Sequence, residues 1–336
     1  MASLDFYTVL SESKRILNAH SRHFLALSVL FLLPLSFSLV VYPTLLHLLT
    51  DPNPNNPKVL LRFAFDSYHH HHDGKHEEPI FSNTFVLSIL YSLFVFAFSI
   101  LAIGSITFSV FHGFYGRPVK LISAIKSILG SFLPLLVTVI VSQVVVSLIV
   151  IGFGGFLFVV TKMFELLGVG IEFSSPFFVT FCGVLMVVLA IVLVYLQVNW
   201  TLVCVVVVVE SSWGFEPLRR SATLMRGMRK VGLCLFVFFG AFAGVLVYAC
   251  GAISELDIGA SDGWKSWVFV VQIVVTSTLL MLLLLYNAAA NTVLYMYCKA
   301  FHGELAVEIA EEFAREYVSL PFDDGKVPHV VSVVVG

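Results

Sequence analysis

The residues of this sequence that are best suited to bind a charged group lie between two apolar runs, from position 210 to position 230. A carboxylate, Glu210, is followed nine or more residues later by a basic cluster of Arg219, Arg220, Arg226 and Lys230. A guanidinium group binds either a carboxylate or a phosphate through two parallel hydrogen bonds. The spacing leaves two interpretations open. Either Glu210 clamps this segment through an ion pair, or the basic cluster holds the phosphates of lipid headgroups.

A histidine-rich stretch nearer the N-terminus is a second candidate site. Its imidazoles belong to His69, His70, His71, His72 and His76, and acidic residues lie among them. Imidazole and carboxylate groups are suitable ligands for a transition metal. Such a tract is also typical of a solvated loop, which is the interpretation favoured here. We therefore expect neither a dedicated metal site nor a cofactor.

Amide side chains within apolar runs form a third group of candidates. They are Gln143, Gln197, Asn199, Gln272, Asn287 and Asn291. In lipid, such amides usually hydrogen bond to a neighbouring helix, and we prefer this interpretation to a path for a polar substrate. No constellation of His, Cys or carboxylate residues suited to catalysis accompanies them. We therefore expect that the protein is not an enzyme.

The composition shows which elements must position these residues. Hydrophobic residues make up 59% of the 336 positions and charged residues 12%, whereas a soluble domain has about 25% charged residues. The missing polar surface must face lipid. Since about 20 apolar residues cross a bilayer as a helix, six spans are predicted over residues 24–49, 85–111, 132–160, 177–209, 231–253 and 267–297. The fold class is thus an all-α polytopic membrane bundle with lipids as partners, and the net charge of −2 gives no reason to expect nucleic acid.

Lysine and arginine are distributed unequally between the two sets of connecting segments. The N-terminus, the second and fourth connections and the C-terminal tail carry 14 of them, and the other connections carry 5. The positive-inside rule then places both termini in the cytosol and the loop 50–83 on the opposite side. The chain divides into a cytosolic segment 1–23, a transmembrane domain 24–297, and an acidic tail 298–336 with a short helix.

Three basic segments with the apolar spacing of amphipathic helices precede the first, third and fifth spans. They read TVLSESKRILNAH, KLISAIKSILGSF and PLRRSATLMRGMRK. Helices of this kind lie in the plane of the membrane interface. Their positions suggest a threefold repeat of one interfacial helix and two spans. The alternative is that any cytosolic junction of a membrane protein is basic and amphipathic.

The junction itself resembles that of a known group of proteins. The stretch Glu210-Ser-Ser-Trp-Gly-Phe-Glu-Pro-Leu-Arg-Arg-Ser, with Leu224 and Gly227 after it, is similar to the junction in a family of uncharacterised plant six-span membrane proteins. The tail VSLPFDDGKVPHVVSVV strengthens the resemblance. More remotely, the junction resembles the membrane domain fused to some bacterial glycerophosphodiester phosphodiesterases. The resemblance implies a helical bundle with no settled activity, because the catalytic barrel of those enzymes needs about 250 residues and has no counterpart here.

Together these features favour a non-enzymatic scaffold, adaptor or lipid-organising protein of the endomembrane system or plasma membrane. Membrane or cytosolic protein partners are expected in addition to lipids. The alternative is a transporter or lipid-handling protein with anionic headgroup contacts at the cytosolic interface, which the repeat and the arginine cluster motivate.

Overall fold

The chain folds into helices that run back and forth through one bundle. The computed structural model describes residues 6–50, 80–116, 121–166, 176–258, 267–307 and 309–310, and these residues form no strand. In chain order the α-helices are α1 (Phe6–Ala19), α2 (Ser21–Leu27), α3 (Leu33–Thr50), α4 (Ile80–Phe114), α5 (Leu121–Leu166), α6 (Pro176–Asn199), α7 (Val203–Glu210), α8 (Glu216–Leu224), α9 (Arg229–Ile258) and α10 (Trp267–Phe301). A single π-helical turn, Ser28–Leu32, joins α2 to α3.

Six helical stretches among the described residues are long and apolar enough to cross a membrane. They are Ser21–Pro43, Phe85–Phe114, Gly130–Met163, Phe178–Glu210, Arg229–Cys250 and Val270–Phe301. The bounds of the six predicted runs differ from these by at most six residues. The prediction of an all-α polytopic bundle, and hence of an integral membrane protein, is confirmed. The threefold repeat stays a prediction.

Two stretches depart from a simple helical rod. Pro34 lacks an amide hydrogen and its ring crowds the carbonyl one turn earlier, and the chain widens into the π-helical turn just before it. The fourth apolar run, predicted as one span over 177–209, is divided at Trp200–Leu202 into α6 and α7. The valines of α7 favour strands in water, yet they are helical here because a helix satisfies its own backbone in lipid.

The second basic segment, KLISAIKSILGSF, also differs from its expected form. It was predicted as an interfacial helix separate from the third span, but its described residues continue directly into that span as the 46-residue helix α5. Gly130 and Pro134 both disfavour a helix where this segment meets the span, yet the helix runs through them, because membrane helices tolerate such residues. No turn therefore sets this segment apart.

Contacts at both ends show that α4 runs antiparallel to the helical stretch formed by α2, the π-helical turn and α3. At one end, His23 Nε2 on α2 lies 3.0 Å from Ser109 Oγ near the end of α4. At the other end, the Tyr42 hydroxyl donates a hydrogen bond of 2.9 Å to Ser88 Oγ, and the Tyr42 ring stacks on Tyr91. The N-terminal helix α1 packs at the first of these ends.

Helix α1 connects the end of α4 with the start of α9. A Cβ atom added to Gly113 would lie 3.2 Å from Ile16, so the two helices touch at this glycine. The Phe6 ring meets the Phe238 ring of α9 at 5.4 Å. The side chains of α1 that face the bundle are Val9, Ser13, Ile16 and Leu17. Lys14 and Arg15 are exposed, so α1 turns its basic side outward.

The chain forms two compact units, residues Met1–Tyr295 and residues Met296–Gly336. In the first, one apolar cluster joins α4, α5 and α7 through Ile100, Leu135 and Val207. In the second, the described part comprises the last turns of α10, a turn at Gly303 and residues 304–307 and 309–310, which are helical. The remainder of the predicted tail helix and the whole histidine-rich stretch lie outside the described residues.

Candidate functional site

The segment that links α7 to α9, residues 210–230 and called the junction below, includes the last residue of α7 and the first two of α9, and it is shaped by turn-forming residues around the short helix α8. Ser211 ends α7 with a φ of 53°, and Gly214 has a φ of 79°. Pro217 occupies the first turn of α8, where its missing amide hydrogen costs no hydrogen bond. Gly227, with a φ of 96°, redirects the chain into α9. These residues make the junction a defined helix–turn unit.

Glu210 lies at the start of the junction and holds two partners from different parts of the chain. Arg220 Nε lies 3.2 and 3.4 Å from the two carboxylate oxygens. The Tyr295 hydroxyl on α10 donates a hydrogen bond of 2.8 Å to Glu210 Oε1, and the tyrosine is fully buried. The Glu210 and Arg220 side chains are 23% and 30% exposed. A carboxylate–guanidinium pair is one of the two interpretations that the spacing leaves open, and the structure contains such a pair, completed by a phenol 85 residues away.

Two more hydrogen bonds fasten the junction to the bundle. The Ser221 hydroxyl of α8 donates to the Asn199 backbone carbonyl at 2.7 Å. The Gly214 amide donates to Thr138 Oγ1 of α5 at 3.1 Å. Both Ser221 and Thr138 are fully buried. The junction is thus tied to α5, α6 and α10, and it is one of the fixed points of the bundle.

The bond from Ser221 ends at the place where the fourth span is broken. The amide of Val203 bonds to the Trp200 carbonyl at 3.0 Å, so the Asn199 carbonyl has no partner within its own helix. Ser221 supplies that partner from α8. The Asn199 side chain donates within its own helix, to the Tyr195 carbonyl at 2.7 Å, and its Oδ1 atom is buried without a hydrogen bond among the described residues. Here the interhelical bond is made by the Asn199 backbone.

The basic residues of the junction fall into two groups. Arg220 points to Glu210, whereas Arg219, Arg226 and Lys230 have exposed side chains. None of these three side chains makes an ion pair with any residue in the part of the chain that the structure describes. Of the four candidates for lipid phosphate, the structure therefore separates Arg220 from the three that remain open to the surroundings.

Aromatic side chains accompany these exposed cations. Trp213 and Phe215, just before α8, are 66% and 62% exposed. The guanidinium of Arg229 lies 5.4 Å from the centre of the exposed Tyr195 ring, within range of a cation–π interaction. The sequence pattern did not single out these residues as site residues, although a tryptophan beside a basic junction is the composition expected at a membrane interface.

The other amide candidates are placed apart from the junction or at its edge. Asn291 donates to Asn287 Oδ1 at 3.3 Å along one face of α10. Gln272 donates to the Cys250 carbonyl of α9 at 3.3 Å, which is an interhelical bond. Gln197 and Gln143 have exposed side chains.

The histidines predicted as weak metal ligands, His69, His70, His71, His72 and His76, lie outside the described residues. Within the described ranges, no group of three or more His, Cys, Asp or Glu residues is arranged to hold a metal ion. The interpretation of the histidine-rich stretch as a solvated loop, with weak metal ligands as the alternative, therefore stays a prediction.

The six spans and the anchored basic junction define a polytopic helical membrane protein. The chain belongs to the family described as Domain of unknown function (DUF8558), whose model matches residues 1–326. No curated protein and no solved structure matches the chain. The family is uncharacterised, so function has to be inferred from the junction itself.

Proposed function

We propose that this protein is a non-enzymatic, lipid-organising membrane component whose junction binds anionic lipid headgroups. The observation that carries this proposal is the exposure of Arg219, Arg226 and Lys230 without an acidic partner among the described residues. Each basic side chain near an anionic membrane surface contributes about 1 kcal/mol of attraction. Arginine adds geometric selectivity, because its planar fork matches two phosphate oxygens.

The way the junction is mounted supports this role. The Gly214 amide donates to Thr138 and the Ser221 hydroxyl donates to the Asn199 carbonyl. Glu210 pairs with Arg220, so the open cations extend from a fixed support. Trp213 and Phe215 extend from the same segment. Tryptophan prefers the headgroup level of a bilayer, where its apolar ring and its polar N–H are both satisfied. With the aromatic side chains directed toward the acyl chains and the open cations directed toward the phosphates, the junction would retain anionic lipids around this end of the bundle.

Native mass spectrometry of the full chain, released from mixed micelles, tests the proposal. The micelles contain phosphatidylglycerol and phosphatidylcholine in equal amounts, so the phosphate is common to both lipids and the net charge differs. We expect the wild-type chain to retain phosphatidylglycerol selectively. Each of Arg219→Gln, Arg226→Gln and Lys230→Gln should lower that selectivity about fivefold, which corresponds to the loss of about 1 kcal/mol.

Two comparisons make this test specific. Lys162→Gln removes one positive charge near the far end of α5 and should leave the selectivity unchanged. Adding inorganic phosphate distinguishes a headgroup site from a site for free phosphate. Millimolar phosphate should displace the bound lipid from a site for free phosphate and should leave the lipid bound at a headgroup site. Equal retention of both lipids by the wild type, or unchanged selectivity in all three junction variants, would contradict the proposal.

We also propose that both termini face the cytosol, in the endomembrane system or plasma membrane of a plant cell. The unequal count of basic residues, 14 against 5, supports the orientation. The resemblance of the junction and the tail to plant six-span proteins supports the source, and scaffold or adaptor partners would then bind from the cytosolic side. Reporters fused before Met1 and after Gly336 should both be protected from protease in intact cells and digested once the plasma membrane alone is permeabilised. Digestion of either reporter before permeabilisation, or its protection afterwards, would overturn this topology.

A transporter or lipid-handling role is a second candidate, and the break in the fourth span is the observation that favours it. Transporters commonly place binding sites at interrupted membrane helices, whose backbone groups are freed there. Asn199, at this break, has a buried Oδ1 atom without a hydrogen bond among the described residues. Flux of a solute or scrambling of a labelled lipid in liposomes, lost in Asn199→Leu, would favour this role over the lipid-organising one.

A further inference from the structure

One glutamine of the third span faces away from the bundle. The Gln143 side chain on α5 is exposed and makes no hydrogen bond with any residue that the structure describes. Ser147, one turn further along the same helix, is also exposed and likewise makes none. In water this would be ordinary. In hydrocarbon, an amide without a partner costs several kcal/mol.

The position of Gln143 along α5 places it deep in the bilayer. The charged residues nearest to it on this helix are Lys126 before it and Lys162 after it, both exposed. At 1.5 Å per residue they lie about 26 Å and about 29 Å away along the helix. A hydrocarbon layer about 30 Å thick that lies centrally between these two charges has its midplane close to Gln143.

Gln143 lines a shallow groove between α4 and α5. The groove has a volume of about 300 Å³, and its walls are Phe96, Val139, Ile140, Gln143, Val144, Ser147 and Leu148. The residues on α5 recur every three or four positions, the spacing with which one helix packs along another. Ser147 is small enough for a second helix backbone to come close. The only polar groups that line the groove are the Gln143 amide and the Ser147 hydroxyl.

We propose that this groove binds the same face of α5 from a second copy of the chain, so that the two Gln143 amides hydrogen bond to each other. Every copy inserts with the same orientation, so both Gln143 side chains lie at the same depth. A residue on a twofold axis meets its own counterpart. A primary amide carries both donors and an acceptor, so one glutamine satisfies the other. The groove presents no charge or second amide that a different partner would have to match.

Energy transfer between donor-labelled and acceptor-labelled full chains in liposomes tests the proposal. Measured over a range of protein-to-lipid ratios, it gives the dissociation constant of self-association. We expect Gln143→Leu to raise that constant about tenfold, equivalent to about 1.4 kcal/mol. Gln143→Asn retains a self-complementary amide and should keep most of the affinity. Gln197→Leu, the same change at another exposed glutamine, should leave self-association unchanged.

Oxidative crosslinking locates the contact without removing the amide. Under mild oxidation, Ser147→Cys should form intermolecular disulfides above the level of the parent chain, and Val187→Cys on the exposed face of α6 should not. A wild-type chain that stays monomeric at every ratio overturns the proposal, as does equal self-association of wild type and Gln143→Leu. A monomeric chain that binds another membrane protein only when Gln143 is present also overturns it, because the groove then takes a different partner. Circular dichroism checks that each variant remains folded.

Discussion

Replacement of Ser221 by alanine tests the role assigned to the broken fourth span. The Ser221 hydroxyl is the partner of the Asn199 carbonyl, at 2.7 Å, and it is fully buried. Alanine fits the same space without the hydroxyl, so the packing of α8 is retained. The carbonyl at the break then has no donor, because the Val203 amide already bonds to Trp200.

The size of the effect follows from this burial. Leaving a buried carbonyl without a hydrogen bond costs about 1–3 kcal/mol. This cost corresponds to a rise of about 5- to 150-fold in the unfolding equilibrium constant. Thr223→Ala is the matched control, since it removes a hydroxyl from the same helix. Thr223 is exposed, and its hydroxyl bonds, among the described residues, to the Arg219 carbonyl one turn earlier, so loss of this hydroxyl should change stability by less than about 0.5 kcal/mol.

Two measurements together check the prediction. Denaturant titration in detergent micelles gives the free energy of unfolding of the wild type and of both variants. Hydrogen exchange at the amides around Val203 reports on the break directly, and exchange there should accelerate in Ser221→Ala and not in Thr223→Ala. If Ser221→Ala is as stable as wild type, or if the two variants lose equal stability, the Ser221–Asn199 bond does not hold the break.

Three further predictions concern the junction and its surroundings. Tyr295→Phe removes a buried hydrogen bond to the Glu210 carboxylate and should lower the free energy of unfolding by about 1.5–3 kcal/mol, measured by the same titration; a change below about 0.5 kcal/mol would refute this. Gly227→Ala should cost about 1–2 kcal/mol, because a side chain rarely adopts a φ of 96°, whereas Gly240→Ala, within α9 and with open space around it, should cost nothing. Raising the salt concentration from about 0.1 M to 1 M shortens the screening length from about 10 Å to about 3 Å and should reduce the selectivity for phosphatidylglycerol; selectivity that is insensitive to salt would argue against headgroup binding by the open cations.

The proposed lipid contacts and the proposed dimer use different surfaces of the molecule. The junction lies at the end of the bundle where α7 meets α8, and the α4–α5 groove lies near the middle of the bilayer. Variants of Arg219 should therefore leave self-association unchanged, and variants of Gln143 should leave headgroup selectivity unchanged. A chain with both properties would hold anionic lipid on each side of a twofold axis, which suits a scaffold.

Local properties of the sequence were sufficient to predict the ion pair in outline. Arg219 and Arg220 follow Glu210 by nine and ten residues, so only a short turn was needed to join them. The sequence did not predict which arginine forms the ion pair with Glu210. Arg219 and Arg220 are adjacent, and adjacent residues of a helix point about 100° apart, so the choice depends on how α8 is rotated against the bundle. Buried Leu218 and Ser221 set that rotation.

The remaining parts of the site had no local signal. Tyr295 lies in an apolar run 85 residues from Glu210, where a tyrosine is unremarkable, and only the tertiary structure brings its hydroxyl to the carboxylate. The fourth run likewise contains no proline or glycine near its break. Ser221 stabilises the break from outside that run, so the pattern of the run alone predicted an unbroken helix.

By itself the sequence determined the six spans, because about 20 apolar residues in lipid must form a helix wherever they occur, and this is a property of each run alone. It also determined where the basic residues are concentrated along the chain. Only the tertiary structure decided that Arg220 is paired while Arg219, Arg226 and Lys230 are open, that the fourth span is interrupted, and that Gln143 faces away from the bundle. Each of these depends on which side of a helix meets a neighbour, and that is set by contacts between residues far apart in the chain.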